Sequence, residues 1–379
     1  MTPDDWLIVA PFVVEHHIDG GQVLVTQRSG RERRQGVRLN ERLTELLKHF
    51  EAGANRESVT LQFPQQDHPE LRAAIETLKQ ANILIGADEL VFQPPSIELE
   101  ITNRCNADCI MCPRVDLRSL GSMDERTFAA VERLAYEGCS GAIFQGIGEP
   151  TLHIRLVEWV TRIRKAVPSD APVVVVTNGA RLKPELFAEL IEAGVSLIQV
   201  SLHSTDADES NEIMRWKKHD VVVDNLRMCA QRDPDRLAIN MVVADTKDPR
   251  IEAMRTWMSS IGIDPLRLGV IPQFSRGSFI VNRLTTPNHQ EGRCLYVQKS
   301  IFIAWNGDVL PCSNDIRGSF VMGNLNDMST GDALHIWWRE LVTLPVAFDI
   351  CRTCDHHSRS SVPTEWFKLA REQTVGMRR

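Results

Sequence analysis

A chain of 379 residues is too long for one small core and is expected to form two or three domains; 43% hydrophobic and 25% charged residues is the mix of a globular protein in water. A formal charge of -7 argues against a protein that wraps nucleic acid or lies on a membrane through a basic face. No apolar run approaches ~18 residues and residues 1–6 lack the basic and apolar stretches of a secretory signal, so a cytoplasmic protein is expected, its nine cysteines read as thiols rather than disulfides.

Residues 1–92 are expected to form the first domain. Apolar runs at 12–18 and 22–25 flank Asp19-Gly20-Gly21, which predicts a hairpin with a glycine turn. Leu39, Leu43, Leu46, Leu47 and Phe50 recur at helical spacing, as do Leu71, Ile75, Leu78 and Ile83. With a closing strand pair at 83–85 and 90–92, this is the layout of a small winged-helix-like α+β unit. Gln93-Pro94-Pro95 is a stiff break after it.

From residue 96 the pattern changes. Short apolar strands are expected at 97–101, 142–144, 173–176, 197–200, 237–243 and 266–270, with amphipathic helices near 125–137, 153–166, 184–193, 220–231 and 249–260. Such β-α repeats predict a parallel sheet with right-handed crossovers, an open sheet or a partial barrel, in a domain spanning 93–290. Ligands then belong at the carboxyl ends of the strands. The first strand runs into Cys105, Cys109 and Cys112, spaced C-x3-C-x2-C, and the second into Gly146-Ile147-Gly148-Glu149-Pro150. The third runs into Asn178-Gly179 and the fourth into Ser201-Leu202-His203. Three thiols so close together read as one metal site; Cys139 and Cys229 stand alone on helix-like segments and read as small buried apolar residues.

C-x3-C-x2-C after a first strand, G-x-G-E-P after a second and a serine after a fourth resemble the radical S-adenosylmethionine (SAM) superfamily. The resemblance implies an α/β fold built on a partial (β/α)6 barrel. It implies that Cys105, Cys109 and Cys112 hold three irons of a [4Fe-4S] cluster, whose fourth iron takes the amino and carboxylate groups of SAM. Reductive cleavage of SAM would give a 5′-deoxyadenosyl radical that abstracts a substrate hydrogen. By position Gly146, Gly148 and Glu149 would meet the SAM amino group, Asn178 and Ser201 the ribose or carboxylate, and Arg215 the carboxylate, through a fork that lysine lacks. A small one-electron donor such as flavodoxin or ferredoxin is the implied reductant. No catalytic acid or base stands out; His203 reads equally as a donor to substrate and as a structural imidazole.

The tail carries the remaining thiols. Cys294 precedes an apolar strand at 300–305 that turns at Asn306-Gly307-Asp308, and the return strand delivers Cys312; a helix near 333–341 leads towards Cys351 and Cys354. In isolation four such cysteines suit zinc and iron–sulfur equally. Behind this core they resemble the SPASM and twitch enzymes, with four thiols where full SPASM has seven, which implies one auxiliary [4Fe-4S] cluster in a twitch-type domain over 291–379 and an oxidative net reaction. Trp216, Trp305, Trp337 and Trp338 are candidate cavity walls, although aromatics at these spacings are more often core.

The first domain resembles the recognition elements that bind leader peptides of ribosomally made peptides, which implies a precursor peptide as substrate. The rival within the same class is a dehydrogenase, decarboxylase or epimerase acting on an aminosugar, cyclitol or nucleoside, since Cys112-Pro113-Arg114 with a one-cluster tail also resembles those enzymes. Neither reading needs a nucleic acid or a membrane as partner.

Overall fold

The structure, a computed structural model, describes residues 6–9, 13–18, 22–29, 32–33, 37–50, 54–81, 83–86, 95–112, 114, 119–243, 247–272, 297, 299–337, 350 and 354. The chain divides into two compact units, 1–93 with 291–298 and 336–347, and 94–290 with 299–335 and 348–379. No helix among the described residues is long and apolar enough to cross a membrane.

The first unit begins with strands β1 (Trp6–Val9), β2 (Val13–Ile18), β3 (Gln22–Ser29), β4 (Glu32–Arg33) and β5 (Val37–Leu39). β2 and β3 form the expected antiparallel hairpin, closed at Ile18 and Gln22, and β5 pairs with the far side of β3. Helices α1 (Glu41–Lys48), α2 (Arg56–Thr60), after the two-residue β6 (Ala54–Asn55), and α3 (His68–Gln80) follow, then β7 (Leu84–Gly86). Asn40 caps α1 by accepting from Leu43 N at 2.9 Å, and Asn55 caps α2 by accepting from Glu57 N and Ser58 N. The helical repeat that buries Leu46, Leu47, Phe50, Leu71, Ile75 and Leu78 builds the core of this unit. β7 was expected to pair with 90–92, which lie outside the described residues; its described partner is β1, with Ile8 opposite Ile85. An end strand that meets the chain's opening strand leaves no local signal.

The second unit is one nine-stranded sheet. β8 (Ser96–Leu99), β9 (Gly141–Phe144), β10 (Val173–Thr177), β11 (Leu197–Ser201), β12 (Leu237–Val243) and β13 (Leu268–Pro272) are parallel and lie side by side in that order. Between them run α4 (Glu125–Tyr136), α5 (Leu156–Ala166), α6 (Pro184–Glu192), α7 (Ala207–Met214), α8 (His219–Arg232) and α9 (Arg250–Ser260). This is the partial (β/α)6 barrel that the resemblance implies. The strands read as near-continuous apolar runs because both faces are covered. α5 buries Leu156, Trp159, Val160 and Ile163, and the Trp159 ring stacks on Phe128 of α4 at 4.1 Å, so truncating either ring should cost ~3–5 kcal/mol.

Two features were not foreseen. In the tail, β14 (Ser300–Ile303) lies parallel against the outer edge of β8, with Ser300 opposite Ser96. β15 (Asp308–Leu310) and β16 (Gly323–Asn324) extend the same sheet before α10 (Thr330–Trp337). An exposed edge of β8 would leave a row of backbone groups unpaired, and β14 covers it. The second is α7, an eight-residue helix whose few apolar residues give no helical repeat in the sequence. Trp337 is core, fully buried with Nε1 donating to Val297 O at 3.0 Å, while Trp338 lies outside the described residues.

Candidate functional site

The site is built where β8 to β11 end. Past β8, Thr102 Oγ1 donates to Gly121 O at 2.8 Å, Asn103 Nδ2 donates to Ser119 O at 2.8 Å, and Asn103 Oδ1 accepts from Gly121 N at 2.7 Å. These bonds fix the point where the cysteine loop leaves the sheet. The loop itself docks on α7: Asp108 N donates to Met214 O at 3.3 Å and Ile110 N to Ile213 O at 2.9 Å. Both acceptors belong to the last turn of a helix, whose carbonyls have no partner inside it. Cys109 Sγ stands 3.3 Å from Met214 Sδ, and Arg215, in the left-handed conformation at φ 48°, brings its guanidinium to 3.8 Å from Asp108.

Cys105, Cys109 and Cys112 are half-buried thiols. Burial pushes Cys109 up to about 12, with the charges of Cys112 and Cys105 adding to it, and burial likewise raises Cys105. Thiolates gathered in this way repel one another unless a cationic centre lies among them. Three soft sulfur donors without a carboxylate or imidazole partner suit iron–sulfur better than a hard ion. Among the described residues no three His, Cys, Asp or Glu side chains converge on a single ion. Three thiols on one loop, all soft sulfur donors, are a donor set that fits an iron–sulfur cluster.

The loop after β9 lies flat against this segment. Glu149 N donates to Arg104 O at 2.8 Å, and Gly148 is pressed so closely on 102–104 that a Cβ would stand 2.1 Å from Thr102 O. The Glu149 side chain is buried. Its Oε1 accepts from Thr151 N at 3.0 Å, Thr151 Oγ1 at 2.6 Å and Thr177 Oγ1 at 2.7 Å, and its Oε2 from Asn178 N at 2.7 Å. Burial raises its pKa and these donors pull it back. A carboxylate offers about four acceptor positions, so the capacity left for a ligand lies at Oε2. Asn178 joins the two halves of the site: its Nδ2 donates to Asn106 Oδ1 at 2.6 Å and points at Cys105 Sγ, 3.9 Å away.

Cys105, Glu149 and Asn178 are therefore brought together by direct bonds, Gly148 by packing on the 102–104 backbone, while Gly146 packs on the Glu100 side chain. Ser201 is half-buried at the end of β11, opposite Asn240 in register. Arg215 sits on the α7 side of the cysteine loop. Of the second group of thiols, Cys312 follows β15 and Cys354 is buried, whereas Cys294 and Cys351 lie outside the described residues.

His203 is buried, and its Nδ1 accepts from Val242 N at 3.1 Å, which leaves the proton on Nε2. Burial, with Arg250 nearby, pushes the imidazole down to about 4. A histidine held neutral in the fold contributes stability above its unfolded value of about 6.5 that is lost as pH falls towards 4. Between those limits the wild-type chain should lose about 3 kcal/mol more than His203→Gln. Chemical denaturation across this range checks it, and parallel loss in the two chains would refute a buried neutral imidazole.

Three polar residues were missed. Gln199 and Asn240 interrupt the apolar strands β11 and β12 on the face shared by Leu197 and Ala238, and Asn240 Nδ2 donates to Gln199 Oε1 at 3.1 Å. Glu100, just past β8, accepts from Ile147 N at 2.9 Å. The available signal was a polar side chain at an every-second position of an otherwise apolar run. A cavity of about 90 Å³ opens beside Glu100, with Ile147, Phe302, Trp305, Ser313 and Arg317 among its walls.

Residues 99–257 match the radical SAM superfamily, and residues 294–355 match the SPASM iron-sulfur cluster-binding domain. The chain is 28% identical over 186 residues to the GTP 3',8-cyclase of Mesorhizobium japonicum, 46% of this chain and 54% of that one, so the match spans about half that relative's length. It is 24% identical over 299 residues to the GTP 3',8-cyclase of Rhodopseudomonas palustris, 75% of this chain and 78% of that one. Its fold is similar to that of SuiB of Streptococcus suis bound to precursor peptide SuiA, with a TM-score of 0.55 and 14% identity over 92% of this chain and 93% of that one.

Proposed function

We propose that this chain, which carries a radical SAM domain and behind it an iron–sulfur cluster-binding domain, cleaves S-adenosylmethionine and uses the resulting radical to oxidise a ribosomally made precursor peptide. The observation that carries the reading is the bonded chain from Cys105 through Asn178 to Glu149 at one end of a parallel sheet. When bound, the cluster at the first three thiols supplies the electron that splits the sulfonium of SAM, and a second cluster supplies an acceptor for the electron left on the substrate.

The chain's own residues do the holding and orienting. Cys105, Cys109 and Cys112 take the first cluster, and Cys294, Cys312, Cys351 and Cys354 the auxiliary one. Glu149 Oε2, with the backbone freed by Gly146 and Gly148, receives the ammonium of SAM; Asn178 and Ser201 face its ribose or carboxylate. Arg215 reaches the carboxylate once it turns from Asp108, an exposed pair at 3.8 Å that holds it only weakly. The inner-face amides of Gln199 and Asn240 offer hydrogen bonds to a neutral polar substrate group.

The peptide reading is supported by the likeness to SuiB over most of the chain and by the first unit. There β2 pairs with β3 alone among the described strands, an edge of the kind to which an extended peptide adds as a strand. The observation favouring a second reading, a nucleotide or related small molecule, is the sequence similarity to the two cyclases. Anaerobically reconstituted enzyme with SAM and reductant separates them. A short peptide encoded beside the gene should raise 5′-deoxyadenosine above the uncoupled rate and lose a pair of hydrogens by mass. If GTP raises 5′-deoxyadenosine and is consumed while the peptide does neither, the peptide reading fails.

A further inference from the structure

Glu100 has no part in the chemistry proposed above, yet it is built deeply into the site. Its backbone N–H donates to Ile303 O at 3.0 Å, so the residue is tied to β14. Its side chain turns towards the loop after β9, where Oε1 takes the backbone N–H of Ile147 at 2.9 Å. Gly146 makes room for it: a Cβ there would stand 2.5 Å from Glu100 Cγ and 2.6 Å from Oε1. The acid therefore lies flush on the 146–147 peptide.

A buried carboxyl requires a reason, because an apolar residue would fill the volume without the desolvation cost. Here the reason is the Ile147 amide, which such a residue would leave without an acceptor. Burial pushes Glu100 up to about 7, with the amides of Ile147 and Trp305 pulling it back. The neutral acid is thus a populated form near neutral pH, and it still offers an accepting oxygen. Ile147 stands between the glycines that set the course of the loop, and two residues on the Glu149 amide is held by Arg104 O at 2.8 Å. Trp305, at the turn of the β14–β15 hairpin, lines the same cavity as Glu100.

We infer that Glu100 is a positioning residue: it fixes the 146–149 loop, and with it the groups that loop presents to a ligand, by locking the Ile147 amide to the end of the first strand where the C-terminal hairpin joins it. The inference rests on the proposed function only in taking S-adenosylmethionine as that ligand.

Hydrogen exchange of the full-length chain without cofactors reads the lock directly. In Glu100→Leu the segment 145–152 should exchange about tenfold faster while β10 and β11 keep their protection. In Glu100→Gln, which keeps an oxygen acceptor, it should stay within about twofold of wild type. After reconstitution the leucine variant should hold as much iron as wild type but bind SAM about tenfold more weakly, with the glutamine variant restoring affinity. If the leucine variant does not fold, Glu100→Asp, one methylene short of the amide, must show the same loosening. Unchanged exchange in the leucine or aspartate variant, or equal loosening in leucine and glutamine, overturns the inference. Failure of the wild-type protein to bind SAM would instead overturn the proposed function and leave the exchange comparison standing.

Discussion

Replacing Cys105, Cys109 and Cys112 together by alanine should remove about four of roughly eight irons per reconstituted chain and reduce SAM cleavage to background. The chain itself should still fold. The loop is held by the amides of Asp108 and Ile110 on the last turn of α7 and by the Asn103 and Thr102 bonds at its start, none of which involves a thiol. Replacing Cys312 and Cys354 instead should remove the other irons, spare SAM cleavage and block product. Iron and sulfide analysis with quantified 5′-deoxyadenosine separates the two cases. Cleavage that survives the triple replacement sinks the assignment of the first cluster.

Gly148→Ala should be the most damaging change of a single methyl group. The added Cβ would stand 2.1 Å from Thr102 O, 2.7 Å from Asn103 Cα and 2.8 Å from Arg104 O, all backbone atoms that no rotamer change can move. The segment it pushes leads directly into Cys105 and supplies the acceptor for Glu149 N, so one overpacked contact disturbs both halves of the site. A loss of about 3 kcal/mol is expected, with weakened cluster retention and SAM binding. Gly331→Ala serves as the control, since the nearest atom to its added Cβ is Ser329 Oγ at 3.9 Å. Equal thermal midpoints for the two variants would show that the 102–104 backbone yields more than its bonding implies.

The residues proposed for this site stand out in the sequence, and the reason is local. A loop that gathers thiols draws them from a few consecutive residues, and the runs that became β9, β10 and β11 are mostly apolar, Gln199 excepted, and bounded by glycine, asparagine or serine. What stayed hidden depends on partners far along the chain. α7 carries too few apolar residues to show a periodicity, with Ile213 and Met214 buried at its last turn. Arg215 was legible as a candidate ligand, but its place as the left-handed cap of that helix was not. Glu100 read as one more polar position at a strand end; only the course of the 146–149 loop across it reveals an acceptor for a buried amide. The pairing of β14 with β8 has no sequence signal at all, since register between strands about 200 residues apart is a property of the assembled sheet.

That pairing also sets a timetable for synthesis. At ~5–20 residues per second, roughly 10–40 s separate the emergence of Ser96 from that of Ser300, the residue that faces it. Throughout that interval β8 has a neighbour on one side only, at the very strand from which the three-thiol loop departs. An interrupted or truncated chain would keep that border open as a template for pairing with another copy, and metal loaded early would enter a half-finished sheet. Coexpressed chaperones should therefore raise the yield of soluble, fully metallated protein more than extra iron does, and slowed translation, which lengthens the interval, should lower it.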